Sequence, residues 1–234
     1  MVTSSNGRVL VWDAPTRVFH WLMVLSFAGA YLTAEDDHWR LVHVTLGYTM
    51  AGLVAFRIVW GFIGTRHALF TDFVRGPNAA MRYLRSVVRG QPEHHTGHNP
   101  AGALAVLALL VLTVVTVVTG WMTYRELGGD ASEELHEALA NVMLGVVVLH
   151  IVAVVVSSRL HRENLVGAMI SGYKDGQSDG RPADAVPGPR RGVAAAMVLA
   201  VAAFWCFQWW TAPGGNLPDA KAVSVSHADA GRRP

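Results

Sequence analysis

The 234-residue chain is 52% hydrophobic and only 15% charged, and its net charge is +2. Soluble globular proteins carry about 25% charged residues, so this chain has too few polar side chains to cover a globule in water. The small net charge and the lack of a lysine- and arginine-rich block argue against nucleic acid as a partner. The composition therefore indicates an integral membrane protein.

Five apolar segments are candidates for membrane-spanning helices, each of which needs about 20 mainly apolar residues. In chain order they cover approximately residues 18–33, 41–64, 101–124, 135–158 and 192–210. The first is short, and it reaches full length only if Arg17, His20 and Trp21 belong to its end. No small-residue cleavage pattern follows it, so we expect a retained helix and not a signal peptide.

Basic residues are concentrated in alternate connections. The N-terminal arm, the second connection and the fourth connection hold the arginines and lysine at positions 8, 17, 66, 75, 82, 85, 89, 159, 162, 174, 181, 190 and 191. The first and third connections are mainly acidic. Because basic connections stay in the cytoplasm, this pattern predicts a multi-pass membrane protein. Its N-terminus is then cytoplasmic and its C-terminus periplasmic.

The segment between the second and third spans is predicted to lie on the membrane surface. Residues 72–89 have the pattern of an amphipathic helix whose apolar face would contact lipid. The predicted lipid-facing residues are Phe73, Met81, Leu84 and Val88.

Cysteine usage restricts the cofactor chemistry. The only cysteine, Cys206, excludes an internal disulfide and a multi-cysteine metal site. It also excludes the C-x-x-C-H motif that attaches haem covalently. Any haem would therefore be held by side-chain ligands alone, as b-type haem is.

Four of the eleven histidines lie within the predicted spans or at their first turn. They are His20 in the first span, His43 in the second, and His136 and His150 in the fourth. Ionisable side chains are costly in hydrocarbon, so residues of this kind are candidates for a functional site. A single such histidine is more often a packing residue or part of a proton relay, but four matched in depth favour haem ligation.

The spacing of the histidines predicts two pairs. Fourteen residues separate His136 from His150, which places them about 21 Å apart along one helix and about 40° apart around its axis. Both therefore face the same side of the bundle, one near each membrane surface. Depth pairs His20 with His150 on the cytoplasmic side, and His43 with His136 on the outer side. The spacing predicts two bis-histidine haem sites stacked across the membrane, with iron bound by these four residues.

Small and basic residues accompany the histidines. Gly47 and Ala140 each lie four residues after a predicted ligand, which leaves room on that helix face for a flat macrocycle. Arg17 and Arg40 are the candidates to neutralise haem propionates, although arginines at span ends also anchor topology. Arg57, deeper in the second span, is a further candidate, with snorkelling as the alternative.

The other candidate ligands are weaker. Met143 lies between His136 and His150 on the same face, but core packing is the more common role of such a methionine. His94, His95 and His98 form a cluster that could bind a metal. Apart from Glu93 they have no carboxylate or cysteine at ligand spacing, so we expect a solvated loop there. No nucleophile triad or phosphate-binding loop stands out.

Several motifs resemble the prokaryotic cytochrome b561 and Ni,Fe-hydrogenase cytochrome b subunits. They are W-D-A-P-T-R-V-F-H-W (residues 12–21), R-L-V-H (40–43), R-I-V-W-G-F-I-G-T-R-H-A-L-F (57–70), G-H-N-P-A-G (97–102) and L-H-E-A-L-A-N (135–141) with His150. The resemblance covers about residues 8–174, and it implies a protein of the bacterial cytoplasmic (inner) membrane. It implies an all-α membrane protein, a four-helix transmembrane bundle binding two b haems with ligands on the first, second and fourth helices. Those ligands match His20, His43, His136 and His150.

The expected organisation follows from these observations. Residues 1–174 would form the di-haem cytochrome b domain, 175–191 a cytoplasmic linker, 192–210 a fifth C-terminal transmembrane helix, and 211–234 a disordered periplasmic tail. The resemblance implies electron transfer between the quinone pool, as ubiquinone or menaquinone, and a periplasmic redox partner such as cytochrome c or a hydrogenase subunit. Membrane lipid is a further expected partner. Whether the chain also forms a homodimer is left open.

Two other functions remain as alternatives. The outer haem could oxidise superoxide and pass the electron to quinone, although the outer connections are mostly acidic, and whether the chain is an enzyme stays open. A non-redox membrane anchor or transporter could instead use the histidines as a proton relay. That alternative predicts no visible haem absorption.

Overall fold

A computed structural model describes residues 8–90, 97–175 and 186–212 of the chain. Eight α-helices account for most of these residues. They are α1 (Ala14–Leu32), α2 (Arg40–Ile63), α3 (Phe70–Phe73), α4 (Pro77–Val88), α5 (Pro100–Tyr124), α6 (Asp130–His161), α7 (Leu165–Ser171) and α8 (Arg191–Thr211). Most of the predicted cytoplasmic linker and nearly all of the predicted tail after residue 211 lie outside the described residues.

Helix boundaries coincide with capping residues in the sequence. Asp13 caps α1 by accepting a hydrogen bond from the Thr16 amide at 2.8 Å. Asn99 caps α5 in the same way, at 2.7 Å from the Gly102 amide, and Pro100 follows in the first turn. Left-handed backbone at Arg162 (φ 53°) ends α6.

Four of the described helical segments are long and apolar enough to cross a membrane. They are Asp37–Ile63, Pro100–Tyr124, Asp130–His161 and Arg191–Thr211. The described part of the chain is thus a multi-pass membrane protein. The helix α1 has 19 residues but lies outside this set of four, so the prediction of five spans stays a prediction.

The long helices pack in the order α6, α5, α2, α1 and α8. Adjacent members of this series contact each other closely. By contrast, α6 does not pack closely against α1 or against α2. One direct bond does cross the α1–α6 side, from the Tyr31 hydroxyl to Asn141 Oδ1 at 2.8 Å. The two separated helix pairs are those that carry the predicted histidine pairs.

The last helix, α8, packs on the α1–α2 side of the bundle. The Trp205 indole on α8 donates a hydrogen bond to Thr49 Oγ1 on α2 at 3.0 Å. A polar bond between helices is favourable in a bilayer, where neither group can bind water instead. The fifth long helix is therefore attached to the bundle away from α6.

A small sheet departs from the all-α expectation. Strand β1 (Arg8–Leu10) pairs antiparallel with β2 (Tyr173–Asp175), and Leu10 lies opposite Tyr173. Gly172 (φ +92°) makes the turn from α7 into β2, a backbone conformation that suits glycine. Behind the sheet, Val11, Trp12 and Ala168 form a buried apolar cluster. The sheet ties the N-terminal end of α1 to the segment after α6.

The predicted surface helix is only partly confirmed. Residues 72–89 belong to two helices, α3 and α4, separated by Gly76 with φ +78°. Met81 and Leu84 on α4 are exposed, as predicted for a lipid-facing surface. The prediction for Phe73 is wrong, because its side chain is 2% exposed and packs inward against Arg57 and His98.

Candidate haem site

The histidines His43 on α2 and His136 on α6 lie side by side. Their ring centroids are 6.2 Å apart and their planes are nearly perpendicular, at 88°. Two histidine–metal bonds of about 2 Å, with one ring radius beyond each, also place the ring centroids about 6 Å apart. The spacing thus fits two axial ligands on opposite sides of one metal ion.

Both rings of this pair are fixed by backbone carbonyls from neighbouring helices. His43 Nδ1 donates to the Ala30 carbonyl of α1 at 2.8 Å, and His136 Nδ1 donates to the Thr116 carbonyl of α5 at 2.9 Å. Thr119 Oγ1 lies 3.3 Å from the same His136 nitrogen. With the proton on Nδ1, the lone pair of Nε2 is left free to bind a metal.

A glycine makes room for the His136 ring. A Cβ atom on Gly120 would lie 2.7 Å from His136 Cε1, which is closer than side chains pack. Beside the other ligand, a Cβ on Gly47 would meet nothing within 4 Å. Glycine therefore allows the close approach of α5 to His136 and leaves open space next to His43, where a flat macrocycle can fit.

The second predicted pair, His20 on α1 and His150 on α6, is less firmly bonded. Both rings are half-buried and close enough to interact electrostatically. His20 Nδ1 is buried and has no hydrogen-bond partner. Buried polar atoms almost always have partners, so a ring with an unpaired nitrogen in the α1–α6 gap fits a site completed by a bound group.

These donor sets fit b-type haem. Neutral imidazole is the axial ligand of many b haems, and such haems need two facing ligands with a slot between the helices that carry them. The helices that carry each histidine pair are the ones that do not pack closely together. The residues that would hold haem are His43 with His136, and His20 with His150.

The family comparison agrees with this geometry. The family model for prokaryotic cytochrome b561 matches residues 11–172, which include all four histidines. The chain belongs to the prokaryotic cytochrome b561 family. It is therefore a membrane b-type cytochrome, a class of electron-transfer proteins.

Related proteins support the same assignment. A probable Ni/Fe-hydrogenase B-type cytochrome subunit of Rhodobacter capsulatus is 26% identical, with 73% of this cytochrome and 83% of the relative covered. The similarly named protein of Azotobacter vinelandii is 30% identical, with 71% and 88% covered. That of Escherichia coli K12, a probable Ni/Fe-hydrogenase 1 B-type cytochrome subunit, is 25% identical, with 50% and 60% covered. No solved structure matches the chain.

The two arginines predicted to neutralise propionates have other contacts in this cytochrome. Arg17 Nη1 donates to the Ile170 carbonyl at 2.5 Å, while its Nε is buried without a partner. Arg40 is exposed, and its guanidinium carbon lies 6.0 Å from the centre of the Tyr124 ring. Arg17 thus keeps one donor available near His20, and Arg40 lies at the N-terminal end of α2.

Arg57 is buried and not snorkelling, because only 2% of it is exposed. Fourteen residues separate it from His43, the same interval that separates His136 from His150. On a helix this interval brings a residue back to nearly the same face about 21 Å further along. Arg57 therefore lies at about the same depth as His150. The interval in the sequence could have indicated this shared depth.

Two residues of this region escaped the sequence interpretation. Asp13 is 1% exposed and accepts hydrogen bonds from the Trp60 indole at 2.9 Å and the Thr65 hydroxyl at 2.7 Å. His98, expected in a solvated loop, packs against Trp12 and Phe73, with ring centroids 4.6 and 4.8 Å away. His94 and His95 lie outside the described residues.

Met143 is buried, and its sulfur is 4.0 Å from the Thr113 hydroxyl. A thioether that packs against a neighbouring helix has the geometry of a core residue. This contact supports the packing role that was preferred from the sequence.

Proposed function

We propose that this cytochrome binds two b haems and transfers electrons across the membrane between the quinone pool and a periplasmic redox protein. One haem would be held by His43 and His136, the other by His20 and His150. The observation that carries the proposal is the His43–His136 pair, whose ring spacing and carbonyl-bonded Nδ1 atoms suit two ligands of one haem iron. We call His43 and His136 the outer pair, and His20 and His150 the inner pair.

The second haem is supported by the spacing on α6. His136 and His150 lie on one continuous helix, so their Cα atoms are about 21 Å apart along its axis. If each of these histidines holds a haem, this separation suits direct electron tunnelling between the two haems without mobile protein groups.

Each histidine has a defined task in this proposal. Haem would supply one-electron redox chemistry when bound, and two histidine ligands for each haem would suit electron transfer and not oxygen binding. The carbonyls of Ala30 and Thr116 orient the outer rings and increase their basicity as ligands. Arg17 and the buried Arg57 would offset propionate charge at the inner pair.

The orientation and location remain part of the proposal. The basic connections support an N-terminus in the cytoplasm, five spans in the inner membrane and a periplasmic C-terminus. The outer pair would then face the periplasm. Acidic residues in the outer connections would attract a partner with a basic surface.

A hydrogenase is the partner that the relatives favour. All three of the relatives described above are named as probable Ni/Fe-hydrogenase B-type cytochrome subunits. We propose that this chain likewise accepts electrons from a hydrogenase subunit at the outer pair and delivers them to quinone. A soluble cytochrome c is the alternative partner.

The ligand assignment is tested by haem content. The purified protein should show a b-type α-band in its reduced-minus-oxidised spectrum and two haems per chain. His150→Ala should remove the inner haem and His136→Ala the outer haem, so each variant should retain one haem per chain.

A matched control is His38→Ala, because His38 is an exposed histidine that precedes α2 and is not a predicted ligand. This variant should keep both haems. The proposal fails if the wild-type protein has no b-type spectrum, and the pairing fails if either ligand variant keeps two haems.

A further inference from the structure

The short helix α4 presents three different faces around its axis, and the first is turned towards the bundle. Successive residues are about 100° apart around a helix, so the position of a residue along α4 determines its face. Ala79, Ala80 and Tyr83 share one face and are buried. The helix packs against α5, and the Tyr83 hydroxyl lies 3.1 Å from His161 Nε2 at the end of α6. The buried face therefore holds α4 against two of the long helices.

The second face of α4 is apolar and exposed. Met81 is 51% exposed and Leu84 is 46% exposed. The two side chains lie about 60° apart around the axis, so they form one continuous surface. A helix that lies in the membrane interface turns an apolar face of this kind to the acyl chains.

The third face of α4 is basic and borders the apolar one. Arg85 lies about 40° from Met81 around the axis, and Arg82 lies about 60° beyond Arg85. Both side chains are exposed, as are those of Arg75 and Arg89 at the two ends of α4. The helix itself contains no acidic residue. Its basic face is thus a continuation of the apolar face.

Nearby acidic side chains leave this charge uncompensated. Asp72 precedes α4 but is already contacted by Arg66 Nε at 3.6 Å and by His67 Nδ1 at 3.0 Å. Among residues 8–90, 97–175 and 186–212, no ion pair within 4.0 Å holds Arg82 or Arg85. The basic face therefore has charge available for an anionic partner.

We propose that α4 lies in the membrane interface and binds the headgroups of anionic phospholipids. The bundle face, the apolar face and the basic face follow one another around the axis. A helix in the interface meets protein, acyl chains and phosphates in the same order. Met81 and Leu84 would contact the acyl chains, while the guanidinium groups of Arg82 and Arg85 donate hydrogen bonds to phosphate oxygens. This assignment does not depend on the haem ligands or on the electron-transfer partners.

Other occupants match α4 less well. A symmetric contact between two copies of this chain would bring the same arginines together, and like charges repel. An acidic protein would match only the basic face. An anionic phospholipid matches the basic face with its phosphate and the apolar face with its acyl chains. Because Tyr83 and His161 connect α4 to α6, headgroup binding would also hold the end of α6 at the membrane surface.

The test measures which lipid lies next to α4 in the full chain, purified with its haem and reconstituted in phospholipid vesicles. Asn78→Cys is labelled with bimane in a Cys206→Ser background, which removes the only natural cysteine. Asn78 is exposed and lies between Arg85 and Arg82 around the axis, so the label leaves both faces intact. Quenching by doxyl-labelled phosphatidylglycerol is compared with quenching by doxyl-labelled phosphatidylcholine. We expect phosphatidylglycerol to associate about fivefold more strongly, since one arginine near an anionic surface contributes an effect of this order.

Two double variants separate the basic face of α4 from the overall charge of the protein. Arg82→Gln with Arg85→Gln should bring the association of the two lipids close to equal, because the charges that select the headgroup are gone. Arg190→Gln with Arg191→Gln is the matched control. It removes the same charge from two exposed residues at the start of α8, which packs on the α1–α2 side, and it should keep the wild-type preference.

A measurement on the unsubstituted arginines makes the test independent of the variants. In about 1 M NaCl, where the Debye length is about 3 Å, the preference for phosphatidylglycerol should largely disappear. A preference that persists in this salt would overturn the proposal, as would equal quenching by the two lipids at low salt. An equal loss of preference in the two double variants would overturn it as well. Absence of quenching by either lipid would show that α4 is covered by protein, and this result would also overturn the proposal.

Discussion

The outer and inner histidine pairs differ in how their rings are held. Both outer rings donate from Nδ1 to a backbone carbonyl, His43 to α1 and His136 to α5. In the inner pair, His20 Nδ1 is buried without any partner. The outer rings are therefore oriented by the protein itself, whereas the inner pair would depend more on a bound group for its orientation.

This difference should set the direction of electron flow. A hydrogen bond from Nδ1 makes imidazole a more basic ligand, which stabilises ferric iron and lowers the reduction potential. The outer haem should therefore have the lower potential and the inner haem the higher. If both pairs hold haem as proposed, electrons would then flow from the outer pair to the inner pair.

The largest effect is expected from Gly120→Ala, which should disrupt only the outer pair. The added Cβ would lie 2.7 Å from His136 Cε1, so either the ring or α5 must move. Overpacking of this kind costs about 1–3 kcal/mol. We expect loss of most of the outer haem and retention of the inner haem, measured as haem per chain.

The control for this prediction is Gly52→Ala, because a Cβ on Gly52 meets nothing within 4 Å. That variant should keep both haems. Combining Gly120→Ala with His150→Ala identifies which site is affected, since the double variant should bind almost no haem. A double variant that keeps a full outer haem would show that Gly120 does not determine the His136 position.

The difference between the pairs also separates what the sequence could predict from what it could not. The four histidines could be predicted as candidate ligands because helical spacing within one element, as from His136 to His150, is contained in the sequence. The carbonyls of Ala30 and Thr116 could not be predicted as partners of the rings. Every residue has a carbonyl, and only the packing of neighbouring helices selects these two.

The region near the inner pair was predicted least well for the same reason. His98 and Phe73 belong to connections that look polar or amphipathic in sequence, but folding buries Phe73 and packs the two side chains against each other. Their positions depend on contacts with Trp12 and Arg57, which belong to distant parts of the chain. Residues before helix caps carry no periodic pattern from which such contacts could be inferred.

A smaller effect should follow from Thr119→Val, which sharpens the comparison of potentials. The Thr119 hydroxyl lies 3.3 Å from His136 Nδ1, in addition to the Thr116 carbonyl. Its removal weakens the hydrogen bonding of the ring, so the outer midpoint potential should rise slightly and approach the inner one. A redox titration followed at the α-band measures both potentials.

Thr123→Val is the matched control, since the Thr123 hydroxyl bonds the Thr119 carbonyl and Ser132 and has no bond to His136. It should leave both potentials unchanged. A Thr119→Val variant in which only the higher potential moves would contradict the assignment of the lower potential to the outer pair.

The smallest effect concerns the stability of the inner side at mildly acidic pH. Burial, followed by the charges of Arg57 and Lys174, lowers the pKa of His98 from 6.5 to about 3. The folded protein therefore favours neutral His98, and the unfolded chain binds more protons between these two values. The stabilisation is present above about pH 6.5 and is lost progressively as the pH falls towards 3.

His98→Phe should reduce this pH dependence while it keeps the ring contacts with Trp12 and Phe73. We expect the wild-type Tm to fall more than the variant's Tm between about pH 7.5 and about pH 5.5, because only the wild type must bury a ring that protonates when unfolded. His38→Phe, at an exposed site, should follow the wild type. An equal pH dependence of Tm in the wild type and in His98→Phe would mean that the acid sensitivity does not arise at His98. The outer and inner pairs would then differ only in how their histidine rings are oriented, and not in the acid stability of their surroundings.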